Sequence, residues 1–557
     1  MTKIDYLVQN LLNSPSKITQ NILIEQKRTF ARDNKLRDIP SNTEILQTYR
    51  NWLQNWSWTK NENFEKIVQK RWIRSQSWIT AVQVLTKPFW CPWKCIFCPN
   101  DPTMPKSYIK TEPWAMRAYL NQFDPIKQVF NRLRSLRATG HKTDKIEMIV
   151  LWWTWDVYPD SYKEDFIAKL YYACNSFPEY RELLNENNSV AKSTKDFKER
   201  FEAYDKNPWE EKKKLDKEAL FDSWKWQLLL QSAWSLTEEI TENENTENRI
   251  IWLTVETRPE YITDQNCKKR RNMWVTRLEI WIQSTDNQVL DANKRDNTVA
   301  EHKSWLHKLR QYWFKFSIHM KPWLYKSTYK SDLKSFIDIY TDYHYLPDEI
   351  KFYPTSVIPN TELFDLYKKW EYKPIDSEYI QWLVEETFAN IIPPYTRIKR
   401  LIRDIPATEI EAWSNVTNLA QLIHKKLLDT YHKNETNRKN LYKRLYIPNH
   451  TNKSTSFSIQ LIDRYKLQQN IINKKDINNI LQSDNDWSLI APFTTKRNFI
   501  GLDTRSREIR HKTTNEEKSK YWKTIICIIR WYQSSVGKEY FISCEVWFWY
   551  IFWFTRL

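Results

Sequence analysis

The stretch CPWKCIFC, residues 91–98, holds three cysteines in eight residues and directly follows an apolar, strand-like segment at 79–85. The spacing C-x3-C-x2-C brings three thiolates into one tight loop. Three cysteine ligands on a [4Fe–4S] cluster leave one iron open to chelate a small molecule. Zinc is the alternative, but a structural zinc site takes four protein ligands and no fourth candidate lies nearby. The loop therefore predicts an iron–sulfur centre held by Cys91, Cys95 and Cys98.

Outward from this loop, strand-like and helix-like segments alternate. Asp124 and Pro125 begin a helix with apolar residues at helical spacing, which ends at Gly140. Further strand-like segments, most of them separated by helix-length stretches, lie at 145–151, 250–256, 277–283, 314–320 and 349–353. This alternation predicts the α/β fold class with a parallel, partial TIM-type barrel.

The tryptophan and glycine contents are abnormal. The chain has 30 tryptophans and 3 glycines in 557 residues, whereas ordinary usage predicts roughly 39 glycines. Trp152, Trp153, Trp274 and Trp313 stand at turn positions beside strand-like segments, where glycine supplies positive φ. Our hypothesis is that most of these tryptophans are UGA codons that the source organism reads as glycine. A truly tryptophan-rich protein is the alternative, and UGG codons at these positions would establish it.

Charge and cysteine usage narrow the class of protein. Lysine and arginine number 86 against 68 acidic residues, a net charge of +18 that favours a polyanionic partner such as nucleic acid. Seven cysteines, three of them in one loop, fit a reducing compartment with a metal site. The N-terminus lacks the apolar core of a secretory signal, and the apolar stretch 546–554 is too short to span a bilayer. We therefore expect a cytoplasmic protein without a membrane partner.

Several blocks carry a family resemblance once glycine replaces tryptophan. Residues 86–102 then read TKPFGCPGKCIFCPNDP, and residues 111–119 read TEPGAMRAY. The cysteine spacing is the radical S-adenosylmethionine (SAM) signature. Together the blocks resemble the catalytic subunit of the elongator complex, the radical SAM tRNA uridine acetyltransferase family. Blocks at 151–154, 251–259 and 274–284 continue a similarity that spans roughly residues 15–557.

The resemblance implies a two-stage reaction. A 5′-deoxyadenosyl radical from SAM would abstract hydrogen from the acetyl methyl of acetyl-CoA. The resulting carbon radical would add to C5 of the tRNA wobble uridine, and thioester hydrolysis would leave a carboxymethyl group. The expected protein is an acyltransferase-class enzyme with a [4Fe–4S] cluster and SAM as cofactors and acetyl-CoA as co-substrate. Its expected partner is the tRNA anticodon stem-loop, with a homodimer left open.

The resemblance also assigns site residues beyond the three cysteines. Those expected at SAM are Trp152, Trp153, Thr154, Glu256 and Gln283, and Lys145 is expected at acetyl-CoA. Basic side chains of the N-terminal helices are expected to bind tRNA: Lys27, Arg28, Arg32 and Lys35. His319 ends an apolar strand and is interpreted as a core histidine, and no acid or base is assigned.

Four domains are predicted. Residues 1–75 form a basic helical tRNA-binding region, and residues 76–410 form the radical SAM barrel with a charged helical insertion at 185–249. Residues 411–495 form an Asn- and Lys-rich linker or insertion. Residues 496–557 begin a GNAT-like α/β acetyltransferase domain, which is expected to be incomplete because the family's Gly-rich acetyl-CoA loop is not present.

Two alternative functions stay open. One is a catalytically inactive tRNA-binding remnant that keeps the basic surface without the chemistry. The other is a different radical SAM tRNA-modifying enzyme, such as a methylthiotransferase. Members of that class carry a second, N-terminal set of cluster cysteines, whereas residues 1–90 contain no cysteine.

Overall fold

The computed structural model describes most of the first 412 residues. The described ranges are 2–13, 18–54, 59–69, 79–152, 155–184, 194–223, 226, 235–342, 344–393, 396–403, 405–412, 422–423, 525–534, 537–546 and 552–556, the last three by their backbone alone. Two compact units are formed. The first comprises Met1–Cys91, Asn100–Glu256 and Arg270–Thr276, and the second comprises Pro92–Pro99, Thr257–Lys269 and Arg277–Leu557.

Helices and strands alternate along the described chain. The α-helices are α1 (Lys3–Leu12), α2 (Gln20–Asp33), α3 (Asn42–Gln54), α4 (Glu62–Val68), α5 (Pro113–Leu120), α6 (Pro125–Ala138), α7 (Asp160–Asn175), α8 (Phe177–Leu183), α9 (Thr194–Lys206), α10 (Pro208–Glu218), α11 (Leu236–Asn243), α12 (Asp264–Asn272), α13 (Asn287–Ala292), α14 (Val299–Gln311), α15 (Tyr329–Thr341), α16 (Glu362–Lys368) and α17 (Ser377–Glu386). The strands are β1 (Thr80–Leu85), β2 (Lys145–Leu151), β3 (Arg249–Thr257), β4 (Arg277–Gln283), β5 (Lys315–Met320), β6 (Glu349–Phe352), β7 (Arg397–Leu401), β8 (Ile525–Ser534), β9 (Gly537–Val546) and β10 (Phe552–Arg556).

The first seven strands form a parallel sheet in chain order, which confirms the predicted α/β, partial-barrel fold class. In the first unit, Thr80 of β1 pairs with Ile146 of β2, and Lys145 pairs with Arg249 of β3. In the second unit β4, β5, β6 and β7 pair in the same parallel sense. Every residue of β4 is buried, as is typical of a parallel strand covered on both faces.

The predicted strands agree closely with the observed ones, and one strand was missed. Strands β2 and β4 have the predicted bounds, and β5 begins one residue later than predicted. The sequence analysis did not predict β7, because its residues Arg397–Leu401 read RIKRL, three cationic residues and two apolar ones. Its cationic side chains are stabilised by the carboxylates of β4 and β6, a partnership that local patterning does not reveal.

The N-terminal helices pack around their own hydrophobic core in the first unit. Its buried residues are Leu7, Val8, Leu11, Leu23, Ile45, Leu46, Tyr49, Phe64 and Val68. A capping box opens α3, because Ser41 N–H donates to Glu44 Oε2 (2.9 Å) and Glu44 N–H donates to Ser41 Oγ (3.2 Å). The helical character predicted for this region is therefore present, while the boundary 1–75 and the other domain boundaries stay predictions.

Helix α6 ends in the left-handed residue that the sequence predicted. Gly140 has φ of 92°, its N–H donates to Arg137 O (3.0 Å), and His141 N–H donates to Leu136 O (2.9 Å). This pair of bonds defines the Schellman motif, whose left-handed position favours glycine because other residues bring Cβ against the backbone.

Three tryptophans occupy the same position of the same motif. Trp274, Trp313 and Trp370 have φ of 59°, 61° and 64°. Each N–H donates to the carbonyl three residues earlier at 2.8–3.0 Å, and the next N–H donates to the carbonyl five residues earlier at 2.9–3.1 Å. Lys35 and Lys294 also occupy such positions, so the motif tolerates other residues at a cost. The geometry is the one that glycine adopts most easily, and the codon hypothesis stays a prediction.

The C-terminal strands β8, β9 and β10 form a separate antiparallel sheet in the order β10-β9-β8. Ser534 pairs with Gly537 across the first connection, and Phe552 pairs with Glu545. Residues 547–551, between β9 and β10 in the sequence, lie outside the described ranges. The predicted linker at 411–495 also lies almost wholly outside them. Among the described helices, none combines the length and apolarity that a membrane span needs.

Candidate functional site

The cysteine loop follows β1 and contains a tight turn. Cys91 is half-buried and is the last residue of its segment of the first unit. Cys95 and Cys98 are buried and lie in the second unit, where Cys98 N–H donates to Cys95 O (3.2 Å). Leu363 N–H, at the start of α16, donates to Ile96 O (2.9 Å). The turn and this anchor hold two of the predicted ligands in one rigid element.

Two arginines converge on the sulfur of Cys95. Arg258 Nη1 donates to Cys95 Sγ at 3.2 Å, and Arg295 Nη1 donates to the same atom at 3.3 Å. Both arginine side chains are fully buried. The hydrogen bond with Cys98 and the charges of the two arginines outweigh burial and hold the pKa of the Cys95 thiol well below its usual value. The geometry therefore favours a thiolate at this position.

Each arginine is oriented by further contacts within the second unit. Arg258 Nε lies 3.1 Å from both carboxylate oxygens of Glu260, and Arg258 Nη2 donates to Arg295 O (2.5 Å). The guanidinium of Arg258 also lies 3.9 Å from the ring centroid of Trp93. Arg295 Nη2 donates to Trp281 O (2.7 Å). Sequence analysis missed both arginines. Arg258 directly follows β3 and lies in the block at 251–259 that carries the family resemblance, so it could have been singled out. Arg295 lies in none of these blocks.

The donor set suits a cluster with thiolate ligands. Cys95 and Cys98 are buried together, and the cationic donors around Cys95 stabilise a deprotonated sulfur, which is the form that binds iron. Cys95 and Cys98 are thus residues of the second unit that could hold a [4Fe–4S] cluster, and Cys91 as the third ligand stays a prediction. Cys174 and Cys267 are also buried, as is common for cysteines that act as small apolar residues.

The residues predicted at SAM fall into both units, and two are outside the described ranges. Trp153 and Thr154 are the two that are not described. Glu256, near the end of β3, is buried and accepts a hydrogen bond from Tyr108 Oη (2.6 Å) in the first unit. Gln283 ends β4 in the second unit with φ of 73°, and its buried Nε2 has no hydrogen-bond partner among the described residues. Their roles at SAM stay predictions.

Trp152 fills the space directly after β2. Its indole is fully buried, its backbone has φ of 156°, and its Nε1 has no hydrogen-bond partner in the described part of the chain. Its ring centroid lies 4.4 Å from that of Tyr158 and 6.4 Å from that of Phe89. An indole here occupies volume that the predicted glycine would leave open at a strand's carboxyl end, where barrel enzymes build their sites.

Lys145 and the N-terminal basic residues lie at the surface. Lys145 is the exposed first residue of β2. Arg28, Arg32 and Lys35 are exposed on or just after α2, where Arg32 Nε pairs with Asp33 (3.2 Å). Lys27 is half-buried and donates to Asn42 Oδ1 (2.7 Å). The exposed residues are placed where phosphates could reach them, and their binding roles stay predictions.

Charged side chains that were not predicted fill the interior beside β4 to β7 of the second unit. Lys399 Nζ lies 2.9 Å from Glu279 Oε1, Lys351 Nζ also contacts Glu279, and His319 Nε2 lies 3.2 Å from Glu279 Oε2. Although burial raises it, the charges of Lys351 and Lys399 hold the pKa of Glu279 well below its usual value. Opposite charges from three strands stabilise one another here, and His319 is a bonded core histidine, as interpreted from the sequence.

His319 predicts a specific pH dependence of stability. Burial, followed by the charge of Lys351, lowers the pKa of His319 to about 3. A histidine with a lowered pKa stabilises the fold above its unfolded pKa, near 6.5, and this stabilisation is lost as the pH falls toward 3. As the pH falls from 6.5 to 5, His319 is expected to cost the parent about 2 kcal/mol of its free energy of unfolding. The His319→Gln variant should not show this loss. Urea midpoints of the parent and the variant at both pH values measure this difference. Equal pH slopes would contradict it, and Lys330→Gln, a change at an exposed lysine of α15, serves as the control.

Comparisons with known proteins agree with the resemblance that the sequence carries. A family model described as the Radical_SAM C-terminal domain matches residues 347–429. The tRNA uridine(34) acetyltransferase of Methanocaldococcus infernus is 29% identical over 394 residues, which are 69% of this chain and 62% of that protein. Elongator complex protein 3 of Schizosaccharomyces pombe is 27% identical over 414 residues, which are 72% of this chain and 65% of that protein.

A solved structure of the same group is also similar. The archaeal Methanocaldococcus infernus Elp3 with an N-terminal deletion has a TM-score of 0.48 and 21% sequence identity, covering 84% of this chain and 74% of that chain. The matched region of this chain spans somewhat less than two thirds of the length of the curated relatives.

Proposed function

We propose that this chain modifies the wobble uridine of tRNA by radical SAM chemistry. It is a relative of the tRNA uridine(34) acetyltransferases and of Elongator complex protein 3. The observation that supports this most directly is the loop with the buried Cys95 and Cys98, in which two guanidinium groups meet one sulfur. The finer proposal is carboxymethylation at C5 with acetyl-CoA as co-substrate, as the family resemblance implies.

Each part of the chain has a proposed task in this reaction. Cys91, Cys95 and Cys98 would hold a [4Fe–4S] cluster, which when bound supplies the electron that cleaves SAM. Arg258 and Arg295 keep Cys95 in the thiolate form. Trp152, Trp153, Thr154, Glu256 and Gln283 are proposed to contact SAM, as the family resemblance implies. Lys145 is proposed to contact acetyl-CoA.

Anaerobic reconstitution with iron and sulfide, followed by assays for 5′-deoxyadenosine and for modified tRNA, tests this function. The chain is assayed as printed and with glycine at positions 152 and 153, because the Trp152 indole occupies the space after β2. We expect cluster formation in both and SAM cleavage that is stronger in the glycine form. Cluster formation without SAM cleavage in either form would contradict the proposed catalysis, and tRNA binding without a cluster would establish the inactive remnant.

The N-terminal helices are proposed to bind tRNA through phosphates. Combined substitution of Arg28, Arg32 and Lys35 by glutamine is expected to weaken tRNA binding and to make its salt dependence shallower. Each phosphate contact contributes roughly 0.7 to 0.9 to the slope of log K against log salt, so the slope should fall by about 2 for three contacts. Affinity measured by filter binding or fluorescence at several salt concentrations gives the slope.

A charge-matched control distinguishes a local contact from the loss of net charge. Lys206, Lys213 and Lys217 are exposed on helices α9 and α10 of the same unit. Their combined change to glutamine removes the same charge and is expected to leave the slope within experimental error. Equal effects of the two triple variants would contradict a tRNA site on the N-terminal helices.

A further inference from the structure

We infer that Arg258 and Arg295 are positioning residues that set the reduction potential of the cluster through Cys95. This inference rests on the proposed function, because it requires the cluster. Both Nη1 atoms reach the same sulfur, at 3.2 and 3.3 Å, from segments that lie 163 and 200 residues away in the sequence. A ligand sulfur that accepts two charge-assisted hydrogen bonds is the arrangement that tunes an iron–sulfur centre.

The charges around Cys95 require a negatively charged sulfur. Arg258 and Arg295 bring two fully buried guanidinium groups to this point. Glu260 contacts Arg258 at 3.1 Å and supplies one negative charge. Within the described part of the chain, the Arg295 side chain donates to a neutral carbonyl, Trp281 O, and to Cys95 Sγ. Burying an unbalanced cation is costly, so a thiolate at Cys95 supplies the balancing charge.

Hydrogen bonds to groups other than Cys95 fix the orientation of the two arginines. Arg258 Nη2 donates to Arg295 O, so the two residues are linked to each other as well as to the sulfur. Asn297 Nδ2 donates to Glu260 (2.6 Å), and His302 Nε2 lies 2.9 Å from Asn297 Oδ1. This chain of contacts holds the guanidinium groups in place before any metal binds, which reduces the reorganisation needed when the sulfur becomes a ligand.

The two arginines are expected to make one-electron reduction easier. Reduction adds one electron, supplied by a low-potential external donor, and increases the negative charge of the centre. Nearby cations and N–H donors to the ligand sulfur stabilise this more negative state and so raise the reduction potential. Removing either donor should therefore lower the potential and reduce the fraction of the centre that a given donor can reduce.

The test is a redox titration of the reconstituted full chain, followed by electron paramagnetic resonance without SAM. For Arg258→Gln and Arg295→Gln we expect the ratio of reduced to oxidised centre, measured at the parent's midpoint potential, to fall about tenfold, equivalent to about 59 mV for one electron. Arg258→Lys and Arg295→Lys keep the positive charge but lose the planar, forked guanidinium group. For these variants the same ratio of reduced to oxidised centre is expected to fall about threefold. The lysine variants decide the question if the glutamine variants do not take up a cluster.

Arg310→Gln is the matched control. Arg310 is also a buried arginine of the second unit, and its Nη1 donates to His344 O (2.6 Å), away from the cysteines. Its loss should affect stability but not the potential. Unchanged potentials in all four variants, or a loss of SAM affinity without a change of potential, would overturn the inference. A parent chain that forms no cluster would instead contradict the proposed function.

Discussion

Replacing Cys95 with alanine is expected to abolish iron–sulfur cluster uptake by this chain. The parent should bind about four irons per chain after anaerobic reconstitution, and the variant should fall to background, because the remaining thiolates cannot hold a cube that needs three protein ligands. Alanine at Cys91 or Cys98 should have the same effect for the same reason, and Cys95 is chosen because Arg258 and Arg295 converge on its sulfur. Iron and sulfide analysis and the visible absorption spectrum measure the effect.

The control for this experiment is another buried cysteine. Cys174 lies inside α7, and burial raises the pKa of its thiol far above the usual value, so it is a poor metal ligand. Cys174→Ala should keep the full iron content. An alanine variant at Cys95 that binds as much iron as the parent would refute the ligand assignment. A parent that takes up tetrahedral zinc and no iron would establish the zinc alternative.

Glycine at Trp274, Trp313 and Trp370 is expected to stabilise the protein. Each tryptophan has a left-handed backbone at the end of a helix, as Gly140 does, and this conformation costs a residue with a Cβ roughly 1 kcal/mol or more relative to glycine. Trp274 and Trp370 are 55% and 93% exposed, so their indoles contribute little packing that would be lost. If the three sites act independently, the combined gain is about 3 kcal/mol. Urea or thermal unfolding of the triple variant measures it.

Trp52→Gly is the matched control, because the same substitution should have the opposite sign there. Trp52 lies inside α3, where its Nε1 donates to Asp5 Oδ1 (2.8 Å), and it packs against the N-terminal core. Glycine in a helix interior costs about 1 kcal/mol, and the lost contacts add to this cost. Destabilisation by the triple variant would show that these tryptophans are native to the fold, as UGG codons would.

The position after β2 connects this question to function. Trp152 is buried against Tyr158, and its Nε1 has no hydrogen-bond partner among the residues that the structure describes, which is unfavourable for a buried polar atom. Glycine would remove the buried indole and open the strand end that the family resemblance assigns to SAM. We therefore expect the same change to increase SAM binding and, by leaving a cavity, to lower stability, so the two effects should be measured separately.

Local patterns in the sequence were sufficient for much of the fold and for the centre of the site. The three cysteines share one loop, so their spacing alone indicates a shared metal. Asp124 and Gly140 bound α6 because capping and left-handed termini depend on neighbouring residues. Strands β2 and β4 could be located because parallel strands covered on both faces are apolar over nearly their whole length.

Only the tertiary structure decided which charges are buried together. Arg258 and Arg295 lie far from Cys95 in the sequence, and their convergence on its sulfur depends on where β3 ends and on the chain path beyond α13. Strand β7 has a charged pattern typical of a surface, yet only 9% of the Lys399 side chain is exposed, because Glu279 on β4 and Glu349 on the neighbouring β6 pair with its ammonium group. A buried charge is stable only with its partner, and partners from distant segments are set by strand register, which no short stretch of sequence contains.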